Sequence, residues 1–456
     1  MPASWFGHRV PGSDTGCTNR QSNRPPSALF WFGHRVPGSD TGCTNHWGGS
    51  GLMWADGVEP AARRVSGRHR VGVNLLWLVP GVVGGSEEYT TRLLTGLAER
   101  RLDDLELTLF ALRPFAEAHP TLAAAFRTEI LRFEGRAKPL RVAAETTWLA
   151  GQSRRHGLDL MHHGGGVVPL GEKVPSVLTI HDLQPLVIPE HFSRAKRTYL
   201  QVMLPRSARA ARLVLTPSDY AGRSVVEHLG VPAEQVVTVP HGIAPQSTRT
   251  APDPALTRRV RSSYHLTGPW FVYPAVTWPH KDHIGLVQDF ATVAARHADV
   301  TLVLSGGSGG AEVELRAEIE RLGLSARVRR TGRIPRAHLD ALIAGATALV
   351  YPSRYEGFGA PVLEAMAAGC PVIAADATAL SELVADAGLL VPPGQPGPLA
   401  AAMTELLTDE RRRAELVVAG RERAGRFGWD RAAVALEGAY RRALAEPEPV
   451  AQEADR

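Results

Sequence analysis

Apolar runs alternate along the chain with segments in which apolar positions recur every three or four residues. The run VGVNLLWLVP, beginning at Val71, predicts a buried strand. After the turn GVVGGS, the spacing of Leu93, Leu94 and Leu97 predicts one face of a helix. Such alternation is typical of βαβ units and a parallel sheet. Further strands are predicted over residues 105–111, 158–162, 175–181, 212–216 and 235–239.

The pattern is interrupted at residues 244–254, APQSTRTAPDP, whose Pro, Ser and Thr content predicts an interdomain linker. A second alternating set follows. Two doubly wound domains leave a cleft between the carboxyl ends of their strands, where ligands bind. Strands of the second set are predicted over 270–274, 300–305, 327–331, 347–351, 371–375 and 388–391, and helices over 283–297, 311–322, 335–344, 361–369 and 397–407.

The sequence therefore predicts an α/β protein of several parts. A first Rossmann-like domain is expected at residues 70–245 and a second at 246–428. A helix at 429–446 is expected to return to the first domain, and residues 447–456 form a tail.

Residues 1–69 form an extension that contains a perfect duplication. The fifteen residues WFGHRVPGSDTGCTN occur at 5–19 and again at 31–45. Each copy carries one His and one Cys, but the spacing matches no closed zinc site. A recent tandem duplication or an unused upstream start is the simpler interpretation, with Met53 as a candidate start. We expect the extension to be disordered.

Composition narrows the class of protein. The chain has 456 residues, 44% hydrophobic and 21% charged, which suits a globular protein with two domains. A net charge of +5 indicates a basic surface or an anionic partner, and we expect no nucleic-acid partner. Three cysteines make no disulfide framework and suit a reducing cytoplasm. The apolar runs are too short to span a bilayer, so a soluble or peripheral protein at the inner face of the cell membrane is predicted.

The stretch EGFGAPVLE, residues 356–364, carries the most specific chemistry. Gly359 allows close backbone approach, and Pro361 suits the first position of a helix whose N-terminus can bind an anion. Glu356 and Glu364 could each accept hydrogen bonds from a pair of hydroxyls, such as those of a sugar and a ribose. Taken alone, Glu364 could be a helix-dipole partner and Glu356 a solvated loop charge.

EGFGAPVLE resembles the E-x7-E signature of retaining glycosyltransferase family four, and the resemblance extends over roughly residues 71–444. It implies the GT-B fold, in which two Rossmann-like domains face each other across a cleft. It also implies that Glu356 faces the transferred sugar and that Glu364 holds the ribose hydroxyls of a nucleotide-sugar donor. Backbone contacts with the sugar and diphosphate are implied for Phe358, Gly359 and Ala360.

A second candidate is YPAVTWPHKDH, which follows the first strand of the second domain. A lysine at a strand-to-helix turn can stabilise a departing diphosphate, and Lys281 takes this position. The simpler interpretation is a surface lysine. The family often has an Arg where Ala275 stands here, while His280 occupies another frequently basic site. This departure leaves one fewer cation for the phosphates.

Two motifs of the first domain complete the predicted site. His181 and Asp182 end a buried strand and match the family's HD element, so we expect them to line the cleft on the acceptor side. A lone His after a strand is otherwise structural; here Asp182 could fix its tautomer. Gly84 and Gly85, in the first turn, are implied to close on the donor phosphates. A Rossmann dinucleotide site is disfavoured because the glycine spacing differs and no acid ends the second strand.

Residues 191–212 carry six Lys or Arg and no acid, with Tyr199, Leu200, Met203 and Leu204 between them. A core-facing helix with a solvated basic side is one interpretation. Contact with an anionic membrane surface or a lipid-phosphate acceptor is the other.

The resemblance implies transfer of mannose or glucose to an acceptor hydroxyl with retention of configuration, in glycan, polysaccharide or glycolipid synthesis. GDP-mannose is the first expected donor and UDP-glucose the second, with a glycan or lipid-linked acceptor. The sequence contains no D-x-D element of the kind that would indicate a bound metal, and no cofactor is expected. The alternatives are a non-catalytic GT-B scaffold, a nucleotide-sugar epimerase and, remotely, an NAD-dependent oxidoreductase.

Overall fold

A computed structural model of the protein describes residues 67–82, 84–244 and 253–445. The duplicated segment, most of the predicted linker and the tail at 447–456 lie outside these residues. No helix in the described ranges combines the length and apolar character that crossing a bilayer requires.

The first half is built on a parallel sheet of seven strands in the order β3-β2-β1-β4-β5-β6-β7, counting described residues. The central strands β4, β5 and β6 are buried at every position because helices cover both faces of the sheet. The strands are β1 His69–Asn74, β2 Leu105–Leu112, β3 Arg127–Leu131, β4 Leu160–His163, β5 Ser176–Thr179, β6 Leu213–Thr216 and β7 Val236–Thr238.

Eight α-helices connect the described strands of this half. Ser218 begins α8 by accepting the backbone N–H of Ala221, and Gly230, with φ 64°, ends it. A π-helical turn at Glu145–Leu149 joins α4 and α5 into one continuous helix. The helices are α1 Gly85–Ala98, α2 Arg113–Ala118, α3 Pro120–Ala125, α4 Lys138–Ala144, α5 Ala150–His156, α6 Gln184–Val187, α7 Arg194–Ala210 and α8 Asp219–Leu229.

The second half repeats the design with six parallel strands in the order β10-β9-β8-β11-β12-β13, again among the described residues. The strands are β8 Trp270–Pro274, β9 Thr301–Ser305, β10 Val328–Gly332, β11 Ala348–Tyr351, β12 Val372–Ala375 and β13 Leu389–Val391. The helices are α9 Pro254–Ser263, α10 His283–Arg296, α11 Glu312–Arg321, α12 Arg336–Ala344, α13 Ala360–Ala368, α14 Thr378–Val384, α15 Pro398–Thr408, α16 Glu410–Ala424 and α17 Trp429–Ala445.

The last helix, α17, lies against α1 of the first half. A Cβ on Gly96 would stand 3.1 Å from the Cβ of Ala433, so the glycine allows the two helices to pack closely. Arg100 and the buried Glu437 form an ion pair of 2.5 Å between them. Helix α17 therefore returns the chain from the second half to the first half.

Several elements differ from the sequence prediction. Strand β3 was not predicted, because its sequence RTEIL is mostly polar and it lies at the sheet edge. Helix α9 begins at Pro254, where the linker was expected to end, with Asp253 accepting the N–H of Ala255. Helices α14 and α16 were also missed. In α16, few apolar positions mark a buried face.

In both sheets the strand order reverses beside the first strand, between β1 and β4 and between β8 and β11. The carboxyl ends of parallel strands at such a reversal leave a crevice. Asn74, His163, Pro274 and Tyr351 end these four strands. The loops after β1, β8 and β11 carry Gly84, Lys281 and Glu356, and the loop after the neighbouring strand β5 carries His181 and Asp182.

Candidate functional site

Lys281 and Glu356 form an ion pair in the crevice of the second half. Lys281 ends a short 3-10 turn after β8, and Glu356 lies in the loop between β11 and α13. The Lys281 Nζ bonds to Glu356 Oε1, with only 15% and 11% of the two side chains exposed. Each charge offsets the cost of burying the other. Lys281 is therefore not a surface lysine, and Glu356 is not a solvated loop charge.

Unusual backbone geometry supports this pair. The N–H of Glu356 donates to Thr378 Oγ1 at 3.0 Å, and Thr378 has a φ of 54°, which a β-branched residue rarely adopts. Asp282, directly after Lys281, has a φ of 51°. The hydroxyl of Tyr273 donates to the Lys281 carbonyl at 2.7 Å. Such strained residues cluster at functional sites.

Two buried tyrosines line the floor under the ion pair. Burial raises the pKa of Tyr273 and of Tyr351 far above the ordinary value, and the nearby carboxylate of Glu356 raises both further. The Lys281 Nζ lies 5.6 Å from the centre of the Tyr351 ring. Both phenols therefore stay protonated and cannot act as bases at neutral pH.

The glycine loop after Glu356 brings the two halves together. A Cβ on Gly357 would lie 2.2 Å from the carbonyl oxygen of His181, and Ser218 Oγ donates to the Gly357 carbonyl at 2.6 Å. Gly359 has a φ of 104° and caps α13. The structure begins α13 at Ala360, so Pro361 is its second residue and not, as predicted, its first. The side chain of Phe358 is buried, stacked on His241 with ring centroids 5.2 Å apart.

The loop after β5 presents His181 to the same crevice from the first half. Its ring lies edge-on to Tyr89, at 5.2 Å between centroids. Burial lowers the pKa of His181 to about 4, although a hydrogen bond with the backbone of Gly164 opposes the shift. Nε2 is buried without a hydrogen-bond partner among the described residues. The imidazole is therefore neutral at pH 7 and keeps one nitrogen available.

Asp182 does not hold the tautomer of His181, contrary to the hypothesis from the sequence. Its Oδ1 accepts the backbone N–H of Gln184 at 3.0 Å, while the backbone of Gly164 contacts the His181 ring. Burial raises the pKa of Asp182, and the charge of Glu356 adds to this, while Lys281 opposes it. A Cβ on Gly357 would lie 3.0 Å from the Cβ of Asp182, so the Asp182 side chain borders the loop that carries Glu356.

Glu364 has a different partner from Glu356. It lies on α13 with 11% of its side chain exposed, and its Oε1 is 3.0 Å from Nη1 of Arg336. Burial raises the pKa of Glu364, and Arg336 opposes the shift. The same Arg336 nitrogen is 3.9 Å from Oε2 of Glu88 on α1.

Gly84 and Gly85 lie at the turn into α1. Gly84 has a φ of 67° and precedes the helix, and Gly85 is its first residue. Both are exposed. Their helix also carries Glu88, so this turn is near the Arg336 and Glu364 side of the crevice.

Further contacts across the crevice were not predicted. His191 and His280 stack with centroids 5.6 Å apart and an angle of 29°, and burial, chiefly, lowers the pKa of His280 to about 4. The Leu183 N–H donates to the Tyr355 hydroxyl at 3.1 Å. Arg336 lies shortly after the carboxyl end of β10, and this position after a predicted strand is a signal by which the sequence could have marked it as a site residue. Nothing in the sequence marked His191 or Tyr355.

Comparisons with known proteins agree with this geometry. The profile described as "Glycosyltransferase Family 4" matches residues 83–247, and that described as "Glycosyl transferases group 1" matches residues 261–423. The O-antigen chain mannosyltransferase B of Escherichia coli is 30% identical over 285 residues, covering 62% of this chain and 74% of the relative. The D-inositol 3-phosphate glycosyltransferase of Kineococcus radiotolerans is 28% identical over 402 residues, covering 80% and 92%.

Solved structures share the architecture. Sucrose-phosphate synthase from Thermosynechococcus elongatus superposes with a TM-score of 0.67 at 22% identity, covering 83% of this chain and 100% of its own. Anabaena HepE, in complex with UDP and glucose, gives 0.64 at 23% identity, covering 83% and 99%. These neighbours confirm the predicted fold, two Rossmann-like domains in the GT-B arrangement. Together with the sequence matches, they show that the chain belongs to glycosyltransferase family 4.

Proposed function

We propose that this glycosyltransferase moves a hexose, mannose or glucose, from a nucleotide-sugar donor to an acceptor hydroxyl and retains the anomeric configuration. The observation that carries the proposal is the buried Lys281–Glu356 pair, whose Glu356 lies in a loop that meets the backbone of His181 and the side chain of Asp182 from the other half. A cation and carboxylates around one crevice can hold a charged leaving group and a polyhydroxylated ring together.

The donor is proposed to lie with its nucleotide on the second half. Lys281 and the N-terminus of α13 stabilise the departing diphosphate, and Glu364 accepts hydrogen bonds from the ribose. Phe358, Gly359 and Ala360 contribute backbone contacts. Gly84 and Gly85 close on the phosphates from the first half. GDP-mannose is the first candidate donor, supported by the E. coli mannosyltransferase relative. UDP-glucose is the second, supported by the neighbour solved with that ligand.

In the proposed reaction the bond between C1 and the diphosphate oxygen breaks through an oxocarbenium-like transition state. The acceptor hydroxyl attacks from the face that the diphosphate leaves, and a phosphate oxygen takes the hydroxyl proton. Glu356 positions the sugar and stabilises positive charge, without forming a covalent intermediate. His181, neutral because burial lowers its pKa to about 4, offers a hydrogen bond to the sugar or acceptor. No metal is assigned to any step.

The acceptor is proposed to be a glycan or a lipid-linked glycan, reached at the inner face of the cell membrane. Helix α7 carries exposed basic residues next to Tyr199 and Val202, which are 40% and 63% exposed. Basic and apolar groups side by side favour an anionic lipid surface. Co-flotation with anionic but not neutral vesicles tests this contact; no flotation with either would contradict it.

The activity is tested by the Glu356→Gln variant with GDP-mannose and UDP-glucose as donors. We expect kcat to fall by about 100-fold, because charge stabilisation in the transition state is lost. The exposed Glu422→Gln variant is the control and should keep wild-type turnover. Thermal shifts with the same donors report binding separately, since a bound donor stabilises the folded state. An unchanged kcat in Glu356→Gln would remove Glu356 from the mechanism, and a rearranged donor without transfer would indicate an epimerase.

A further inference from the structure

Arg336 is the centre of a charge cluster that joins three helices. It is the first residue of α12, and its Nη1 lies 3.0 Å from Oε1 of Glu364 on α13. The same Nη1 lies 3.9 Å from Oε2 of Glu88 on α1, and Nε lies 2.8 Å from Oδ1 of Asp340. One guanidinium therefore contacts carboxylates from both halves of the protein.

The three carboxylates differ in how much water they contact. The Glu364 side chain is 11% exposed, whereas Glu88 is 42% and Asp340 45% exposed. Two water-exposed acids gain little from an ion pair, but a buried acid depends on its cation. Of the three contacts, the one between Arg336 and Glu364 is therefore expected to affect the charge of its carboxylate most.

Burial and the neighbouring acids favour the neutral form of Glu364, and Arg336 opposes them. Burial raises the pKa of Glu364, and the negative charges of Glu88 on α1 and Asp340 on α12 raise it further. The phenol of Tyr351 on β11 also lies within electrostatic range. Arg336 is the group that lowers this pKa, through its charge and its hydrogen bond.

An ionised carboxylate accepts hydrogen bonds at both oxygens, whereas a protonated one uses an oxygen as a donor. A vicinal diol offers two hydroxyl donors and matches the ionised form. Because Arg336 bonds to Oε1, it also fixes the direction of the carboxylate. The contact with Arg336 uses Oε1, and Oε2 is the oxygen that we assign to a ligand.

We propose that Arg336 is a positioning residue for the nucleotide, one that keeps Glu364 ionised and aimed at the ribose hydroxyls of the donor. The inference rests on the proposed function, because it takes Glu364 as the ribose-binding residue. Arg336 acts through Glu364 and need not touch the donor.

The first test measures binding of UDP and GDP by calorimetry between pH 6 and pH 8. We expect Arg336→Gln to weaken binding of the better nucleotide by about tenfold at pH 6, the order expected for a lost charged hydrogen bond. The loss should shrink as pH rises, because Glu364 then ionises without help. Each value is taken as a ratio to wild type at the same pH, which cancels titration of the phosphates.

Two further variants serve as controls. Arg336→Lys keeps the positive charge and should recover most of the affinity at pH 6. Arg321→Gln removes a similar pair, Arg321 with Glu318 on α11, where Nη2 and Oε1 are 2.6 Å apart and Arg321 is 63% exposed. It should change binding less than about twofold. A constant loss at every pH, or no loss, in Arg336→Gln would overturn the inference.

The second test uses 2′-deoxynucleoside diphosphates with wild type and Arg336→Gln. If Arg336 acts through the ribose contact of Glu364, the substitution should cost less affinity for the deoxy ligand, because that contact is already weakened. Equal losses for both ligands would mean that Arg336 does not act through the ribose.

The outcomes separate the inference from the proposed function. A wild type that binds and transfers, with an Arg336→Gln variant equal to it, contradicts only the role of Arg336. A wild type that binds no nucleoside diphosphate contradicts both.

Discussion

At the scale of single residues, the buried carboxylates of the crevice are each paired with a positively charged side chain. Lys281 and Glu356 are each largely buried, and their bond replaces the water that both have lost. Glu364 is buried to the same extent beside Arg336, whose own side chain is 51% exposed. The difference between the two carboxylates is therefore the cation beside each.

Removing one member of the buried pair should destabilise the protein more than removing both. We expect Lys281→Met to lower the free energy of unfolding by about 3 kcal/mol, because Glu356 is left charged and without its cation. The double variant Lys281→Met/Glu356→Gln should recover most of this loss. Urea denaturation measures both. A double variant less stable than Lys281→Met would show that the pair is not coupled in this way.

At the scale of elements, the loop before α13 and the helix α17 hold the halves together. Gly357 touches the backbone of His181, and α17 inserts its apolar face against α1. Both contacts join segments far apart in the chain. The geometry of the crevice therefore depends on close packing at a few backbone positions.

Gly357→Ala adds only one methyl group, but we expect it to reduce activity strongly. The added Cβ meets the carbonyl oxygen of His181 at 2.2 Å, so one of the two loops must move. A displacement of this kind can reduce kcat/KM by about 100-fold. Gly438→Ala is the matched control, since a Cβ there has nothing within 4 Å and lies mid-helix in α17. It should raise Tm slightly. Equal activities of the two variants would contradict the close approach at Gly357.

The docking of α17 can be measured with two substitutions on the same helix. Leu436 is fully buried against the first half, so Leu436→Ala should cost about 2–5 kcal/mol of unfolding free energy. Val434 is 50% exposed, and Val434→Ala should cost less than about 0.5 kcal/mol. Chemical denaturation compares them. A small loss in Leu436→Ala would mean that α17 contributes little to the folded domain.

At the scale of the whole molecule, buried histidines set the response to acid. Burial lowers the pKa of His162 and His163 to about 3, and of His181 and His241 to about 4. In the unfolded chain these side chains titrate near their ordinary value, about 6.5. Between pH 6.5 and 4 the unfolded state therefore binds more protons than the folded state.

The free energy of unfolding should accordingly fall as the pH is lowered from 6.5 toward 4 and stay near its maximum above 6.5. Each histidine that stays neutral contributes a slope of up to about 1.4 kcal/mol per pH unit. His162 bonds to the Tyr440 hydroxyl at 2.8 Å, and His162→Gln should flatten the slope by about that amount. Denaturation curves at several pH values test this; an identical slope in the variant would show that His162 does not contribute.

The alternation of apolar runs and amphipathic segments was enough to predict most strands of both sheets and the cleft between them, because burial on both faces imposes that pattern locally. The short motifs EGFGAPVLE and PHKD also located Glu356 and Lys281, because the ends of parallel strands are marked by turn residues. Only the tertiary structure paired Glu364 with Arg336, stacked His191 on His280 and gave Asp182 a partner other than His181. Such pairs depend on side-chain reach and packing between distant segments, and no local pattern encodes them.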